Sequence, residues 1–501
     1  MKNYHRISSA VTAILLHAAS LTACGGAAET PIETQTEAAD TAAVTEPAEV
    51  APVYEPDDLP EELDFGGVTS HIFGWEGDGE DIAEFFVEEA DGDVVNDAIY
   101  DRNRTVEERL NLTLTYTLIP GNNSNRGTWT KTVSQSTLAG DGANDIVAGY
   151  SMCGATLANK RLLTDLMELD YLNFDKPWWP DSLIREATCG GKLYFCSGDI
   201  STYMIYYLFA TFFNKTLVQN YDIENPYELV RNGQWTLDKL ISISTDVYSD
   251  INGDGKKDAG DQFGYATHCV WADSLFFAAD LRTTETGSDG IPVLSQKFGG
   301  EKTQALLTTL IDMFASNGMF LGLNGDDYDV VRNQFLENRS MFITTQVCFA
   351  NSYLRHSDVE YGILPLPKYD ETQQDYYTVA SFPYTLYGIP VDAKDPAMSA
   401  ALLECLASES YRTVSPALFE IALKVKYAGD DDASEMYDII RASNVFDFGR
   451  IFNDNLSSAT YSLFRQALVD GNKNWISTYE KNAKNLAKQL EKVVNNLTKE
   501  E

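Results

Sequence analysis

Residues 250–261 read DINGDGKKDAGD, and their spacing could hold a metal ion. Asp250, Asn252, Asp254, Asp258 and Asp261 fall at positions 1, 3, 5, 9 and 12 of a twelve-residue calcium loop, with Gly255 at the sharp turn of position 6. Lys256 stands at position 7, where only its carbonyl is needed, so its side chain is free to face water. Oxygen side chains closing on one small volume repel one another without a cation, and Ca2+ is the hard ion that accepts that many oxygens. An acidic surface turn is the plainer reading, since Asn-Gly and Asp-Gly favour turns. A turn, however, does not require acids at positions 9 and 12. The loop is therefore read as a structural Ca2+ site.

A second chemically loaded residue is Cys24. Lys2 and Arg6 precede an apolar run over residues 7–23, the charge-then-apolar order of an export signal, too short to span a bilayer comfortably. The run ends in Leu21-Thr22-Ala23-Cys24, which matches the bacterial lipobox, where the cysteine is lipidated after cleavage. Residues 1–23 are thus a signal peptide, and the chain is expected on the outer face of the cytoplasmic membrane, held by a lipid on Cys24. Residues 24–62, rich in Ala, Thr, Glu and Pro, form an acidic spacer that buries too little apolar surface to fold. With 75 acidic against 37 basic residues and a net charge of −38, nucleic acid is excluded as a partner.

The remaining chain is too long for one ordinary core and predicts two domains. Six cysteines remain after Cys24, without zinc-type spacing. Cys189 and Cys196 flank GGKLYF, and both a hairpin disulfide and two buried thiols are compatible with that spacing. Periodicity reads strand at 68–75, helix at 94–110, strand at 112–118, helix at 129–138, strand at 145–150 and helix at 157–169, an α/β layered lobe. A second such set follows from residue 209, and the last 90 or so residues read as helix. Trp178, Trp179 and Trp235 read as core or lobe-surface residues, with Thr236 as a helix N-cap.

The lipobox and spacer, GDGANDIVAGY, PWW followed by GGKLYF, FFNKTLV, PYELVRNGQWTLDKL, DINGDGKKD leading into FGYA, NQFLENRSMFI, YGILPLPKYD and SYRTVSPALFEIALK occur in this order. Together they resemble an extracellular solute-binding lipoprotein of the family 1, carbohydrate-type class that serves ABC importers, in its clostridial form. The resemblance implies a periplasmic-binding-protein-like α/β fold: two discontinuous lobes joined by hinge strands, a ligand in the cleft between them, and a largely helical C-terminal part. Carried onto this chain, it places crossings near Ser197–Ile200, Val379–Tyr384 and Asn444–Ile451. Lobe 1 is then 63–199 with 385–449, and lobe 2 is 200–384 with 450–501. The implied partners are a small solute, a mono- or oligosaccharide, and the permease subunits of the importer, with the protein a monomer.

Ligands of α/β lobes collect beyond the carboxyl ends of the strands. Polar and aromatic residues just after such strands are Trp75, Tyr150, Ser151, Asp199, Trp271, Thr345, Phe382 and Tyr384. Aromatic faces stack on a pyranose ring and the polar groups bind its hydroxyls, a mix that suits a sugar. The same aromatics are also good core residues. Two alternatives remain in view: a secreted glycoside-acting enzyme, and a static surface carbohydrate-binding or adhesion protein. Against the first, only His71, His268 and His356 lie beyond the signal region, and no Gly-x-Ser-x-Gly or His-Glu-x-x-His pattern occurs. Against the second, a dockerin needs two calcium loops and this chain has one.

Overall fold

The computed structural model describes residues 54–77, 82–325, 327–419 and 431–499. The signal segment, Cys24, the spacer to residue 53 and residues 420–424 of the SYRTV motif lie outside them. The strands, in chain order, are β1 (Val68–Glu76), β2 (Leu112–Pro120), β3 (Ile146–Tyr150), β4 (Phe209–Asn214), β5 (Phe263–His268), β6 (Thr284–Thr286), β7 (Pro292–Leu294), β8 (Met319–Gly322), β9 (Ser340–Gln346), β10 (Tyr361–Leu364) and β11 (Thr385–Gly388). They form a four-stranded sheet in the order β11-β3-β1-β2, a five-stranded sheet in the order β10-β4-β9-β5-β8, and a β6-β7 ribbon.

The first sheet begins as a β-α-β unit. The helix Val94–Leu110 starts at Asp93, whose carboxylate accepts from the backbone N–H of Val95 and Asn96, and stops at Asn111 in the left-handed region at φ 46°. Its buried face is Val95, Ile99, Val106 and Leu110, the 3.6-residue spacing that holds it on the sheet. The chain re-enters as β2, parallel to β1 from Val68↔Leu112 to Glu76↔Pro120. In the second sheet every residue of β4, β5 and β9 is buried, as expected of strands covered on both faces.

The passage between the sheets is a pair of antiparallel segments. Cys196 bridges Tyr387 and Leu208 bridges Ala380, so residues 196–208 run out beside residues 380–387 running back. A third segment joins them where Thr378 bridges Asn444 in parallel. Glu84 fastens the outgoing segment: it accepts from Ser201 Oγ at 2.6 Å and from the Tyr203 N–H at 2.8 Å. Asp447 fastens the third, accepting from the N–H groups of Thr283, Thr284 and Arg450 at 2.7, 3.1 and 2.6 Å.

Two readings of the sequence need correction, and one left open is decided. Residues 54–62, placed in the spacer, are packed on the body: Asp57 takes Arg109 at 2.6 Å with its side chain 2 % exposed, Leu59 is buried, and the Tyr54 ring meets Tyr411 edge-on at 5.5 Å. Composition could not register those distant partners. The helix read over 157–169 ends at Asn159. Arg161 takes φ 59°, and Asp165 caps a separate single turn, Leu166–Glu168. Cys189 and Cys196 are buried free thiols. The turn closes early, by Cys189↔Lys192, and Cys196 continues on to pair with Tyr387. Among the described residues no helix is long and apolar enough to cross a membrane.

Candidate functional site

A cavity of about 850 Å³ opens between the two sheets, beside the crossing segments. Its walls come from the carboxyl ends of strands in both sheets. Asn123 follows β2, Tyr150 ends β3, Trp271 follows β5 and Gln346 ends β9. The crossings add Tyr206, Tyr207, Ser381 and Phe382, and two helices add Tyr328 with Arg332 and Tyr461 with Arg465. This is where α/β sheets place ligands, because the strand ends and the loops after them are free to diverge.

The aromatic residues are held in fixed attitudes. Trp271 packs against Tyr328 with centroids 5.3 Å apart, and Tyr328 stacks on His268 at 3.8 Å. The Arg332 guanidinium lies among them, 4.8 Å from the Tyr353 ring centre and 5.2 Å from that of Trp271. Opposite, Phe382 and Tyr461 lie 5.5 Å apart at a shallow 32°. Aromatic rings are the groups on which the apolar side of a sugar can stack.

Charge in the cavity is arranged with equal care. Arg465 gives Nε to both oxygens of Asp273 at 2.9 and 3.0 Å, and its Nη2 also meets that carboxylate. Burial pushes the Asp273 carboxyl upward, and the guanidinium beside it opposes that rise. Burial also raises the Tyr150 and Tyr461 hydroxyls, which therefore stay protonated and able to donate. His268 is pushed down by burial, against the pull of its contact with the Asn324 carbonyl at 2.9 Å, and its Nδ1 accepts from the Val270 N–H at 3.2 Å.

Of the eight residues expected at the ligand, the structure brings Tyr150, Trp271 and Phe382 to the cavity wall. Three others stand directly behind it. Trp75 donates its indole N–H to Thr385 Oγ1 at 2.9 Å and packs edge-on against Tyr150 at 5.4 Å. Ser151 donates to the Phe382 carbonyl at 2.7 Å, and Thr345 donates to Gln346 Oε1 at 3.1 Å. Tyr384 is buried against Phe446, away from the wall. Asp199 belongs to a different cavity of about 670 Å³ on the other face of the helix Thr202–Tyr206, where it binds Arg441 at 2.9 Å and Ser415. That cavity receives no residue of the first or second sheet's strands.

Sequence reasoning missed Tyr206, Tyr207, Tyr328, Arg332, Tyr353, Tyr461 and Arg465. Two signals were present. Tyr328 with Arg332 and Tyr461 with Arg465 are each i,i+4 pairs on one helix face, and Tyr206-Tyr207 sits inside the crossing segment.

The 250–261 loop has the local geometry of a tight acidic turn. Asp250 accepts from the N–H groups of Gly253 and Gly255 at 2.7 and 2.9 Å, and Gly255 takes φ 76°. A Cβ on Gly260 would sit 2.5 Å from the Asn252 amide, so a larger residue there would push that side chain aside. Asp261 is wholly buried, and its Oδ1 has no hydrogen-bond partner, which fits a cation at position 12. Against this, no group of three or more His, Cys, Asp or Glu among the described residues converges on one point.

No family model and no curated protein matches the sequence. Solved structures do match. A cyclo/maltodextrin-binding protein complexed with maltotetraose aligns at TM-score 0.56 and 13 % identity, covering 83 % of this chain and 96 % of the other. The GacH receptor of Streptomyces glaucescens, solved unliganded and with acarbose, aligns at 0.52 and 11 % over 84 % and 99 %. The maltose/maltodextrin-binding domain of Bdellovibrio bacteriovorus, bound to maltotriose, aligns at 0.51 and 13 % over 84 % and 100 %. Each is a binding protein or receptor rather than an enzyme. At such identity the likeness is one of fold: a mixed α/β, periplasmic-binding-protein-like architecture shared with the maltodextrin-binding proteins.

Proposed function

We propose that this protein captures a mono- or oligosaccharide in the cavity between its sheets and delivers it to the permease subunits of an ABC importer. The observation that carries the reading is the cavity itself: strand ends of two sheets, joined by crossing segments, present ring faces and hydroxyl-binding groups to one volume. The fold-level neighbours hold maltotetraose, maltotriose and acarbose, which supports a saccharide. A ligand gripped from both lobes favours the closed state in proportion to its differential affinity, so capture and closure are one event. In the same proposal Cys24 carries the lipid that tethers the chain outside the cell, and Ca2+ rigidifies the 250–261 loop through Asp250, Asn252, Asp254, the Lys256 carbonyl, Asp258 and Asp261.

Thermal-shift screening of the protein against sugars tests the central claim. A ligand that binds only the folded state at 100 times its Kd contributes about 2.7 kcal/mol, a readily measured shift. A panel of mono- and oligosaccharides that leaves the melting temperature unmoved would refute saccharide capture.

A further inference from the structure

The chain is strongly acidic, with 75 acidic residues against 37 basic, yet its cavity is not. The ionised side chains on the wall are Arg332, Arg465 and Asp329. Asp329 pairs with Arg332 at 3.0 Å across one helical turn, and its own side chain is 77 % exposed, which leaves it loosely held. Arg465 commits Nε and Nη2 to Asp273, and those bonds leave its Nη1 edge unused.

Arg450 lies just behind this wall. It is 6 % exposed, and its guanidinium sits 4.0 Å from the centre of the Phe382 ring and 5.1 Å from that of Tyr461, both cavity residues. Its Nη2 donates to the Ala380 carbonyl at 2.9 Å, while Nη1 is buried without a hydrogen-bond partner. Among the described residues no carboxylate lies within ion-pair distance of it, and the Asp273 carboxylate, which feels its charge, is already gripped by Arg465. Asp447, three residues earlier, spends its oxygens on Thr283, Thr284 and the Arg450 backbone N–H. Stacking on rings attracts a cation but satisfies none of its N–H groups. A buried charge without a counter-ion is costly and is seldom kept unless something supplies one.

Resting on the reading of the cavity as a saccharide site, we infer that the saccharide is acidic: an anionic substituent on a sugar ring supplies the counter-charge that Arg450 lacks, beside Arg332 and Arg465, whose single carboxylate partners leave donor edges free. Arg332 and Arg465 offer planar donor edges to the anion, and Arg450 adds its charge through the thin aromatic wall, where the low dielectric screens it little. A ring carboxylate and a ring sulfate share this chemistry, since each can present a pair of anionic oxygens to a guanidinium fork. The rings of Trp271, Tyr328, Phe382 and Tyr461 then take the apolar faces of the sugars.

Calorimetry on the full chain tests this with oligogalacturonides, the same oligomers methyl-esterified, neutral xylo- and malto-oligosaccharides, and sulfated disaccharides. The acid should bind, its ester should bind at least about tenfold more weakly because a charge-assisted hydrogen bond is lost, and raising salt should weaken only the acid. Arg450→Met should weaken the acid more than the ester, and Arg450→Lys should restore part of the difference. Should Arg450→Met fail to fold, Arg332→Gln carries the same test. Binding of the sulfated sugars alone would keep the inference and assign the anion to sulfate. Binding of neutral sugars with no preference for the acids would overturn the inference and leave saccharide capture standing. Binding of none of the four probes would overturn both. Acid affinity unchanged in Arg450→Met and Arg332→Gln would overturn the role of the cluster.

Discussion

Glu84 should make the protein less stable at neutral pH than in mild acid. Its carboxyl is wholly buried where it holds the outgoing crossing segment through Ser201 and Tyr203, and burial pushes its pKa up from 4.5 to about 7, against the opposing hydrogen bonds and Arg102. In the unfolded chain the same group titrates at its ordinary value. A carboxyl raised on folding contributes its full stability below pH 4.5 and loses it as pH rises through 7. At ~1.4 kcal/mol per pH unit the difference comes to roughly 3 kcal/mol for this one group. Glu84→Gln replaces the carboxyl by a neutral group of the same shape, with Oε1 to accept from the Tyr203 N–H and Nε2 to donate to Ser201. Urea unfolding from pH 5 to pH 8 should show wild type losing stability over that interval. The variant should be flatter, and more stable than wild type at pH 8. Glu404, also raised to about 7 by burial beside Trp179, leaves a residual slope in the variant. An unchanged slope together with no gain at pH 8 would refute the reasoning, since it would mean that Glu84 is neither desolvated nor a weight on folding.

Three further predictions test the site and its setting. Replacing Tyr150 or Trp271 by Ala should weaken saccharide binding at least about tenfold and reduce the ligand-driven compaction seen by small-angle scattering, while losing about 3–5 kcal/mol of stability from the vacated ring; unaltered affinity in both variants would remove the stacking role. Ca2+ should raise and EDTA lower the melting temperature, with Asp261→Asn and Asp254→Ala losing the response; calorimetry showing no binding well beyond roughly 0.1–1 mM, the weak extracellular range, would refute the metal. Cys24→Ala should release the protein from membranes or leave its leader attached, and membrane fractionation as tight as wild type would refute the lipid anchor.

What the sequence could reveal about the cavity follows from how far apart the cooperating residues lie. Local signals were sufficient for local structure: the helix over 94–110 keeps its expected ends because Asp93 and Asn111 are its caps, and Thr236 caps the following helix at the Lys239 N–H. Strand ends were also legible, and they led to Tyr150 and Trp271. Trp75 and Tyr384 stand off the wall because residues 72–75 of β1, all of β3 and all of β11, which Tyr384 immediately precedes, are buried, so period-two alternation does not separate a residue aimed at the cavity from one aimed at the core.

The arginines were hidden for a different reason. Tyr328-Arg332 and Tyr461-Arg465 have the spacing of ordinary i,i+4 helix pairs, and Arg450 that of a basic residue in the last turn of a short helix. Only the fold brings Tyr328-Arg332, more than a hundred residues earlier in the chain, to one volume with Tyr461-Arg465 and the Arg450 behind them. There a charge that would be commonplace on the surface becomes expensive, because Phe382 and Tyr461 cover Arg450 and Asp447 is already committed elsewhere. Cost of this kind has no signature in spacing or composition. It belongs to the folded arrangement, and it is what turns three scattered arginines into a statement about the charge of the ligand.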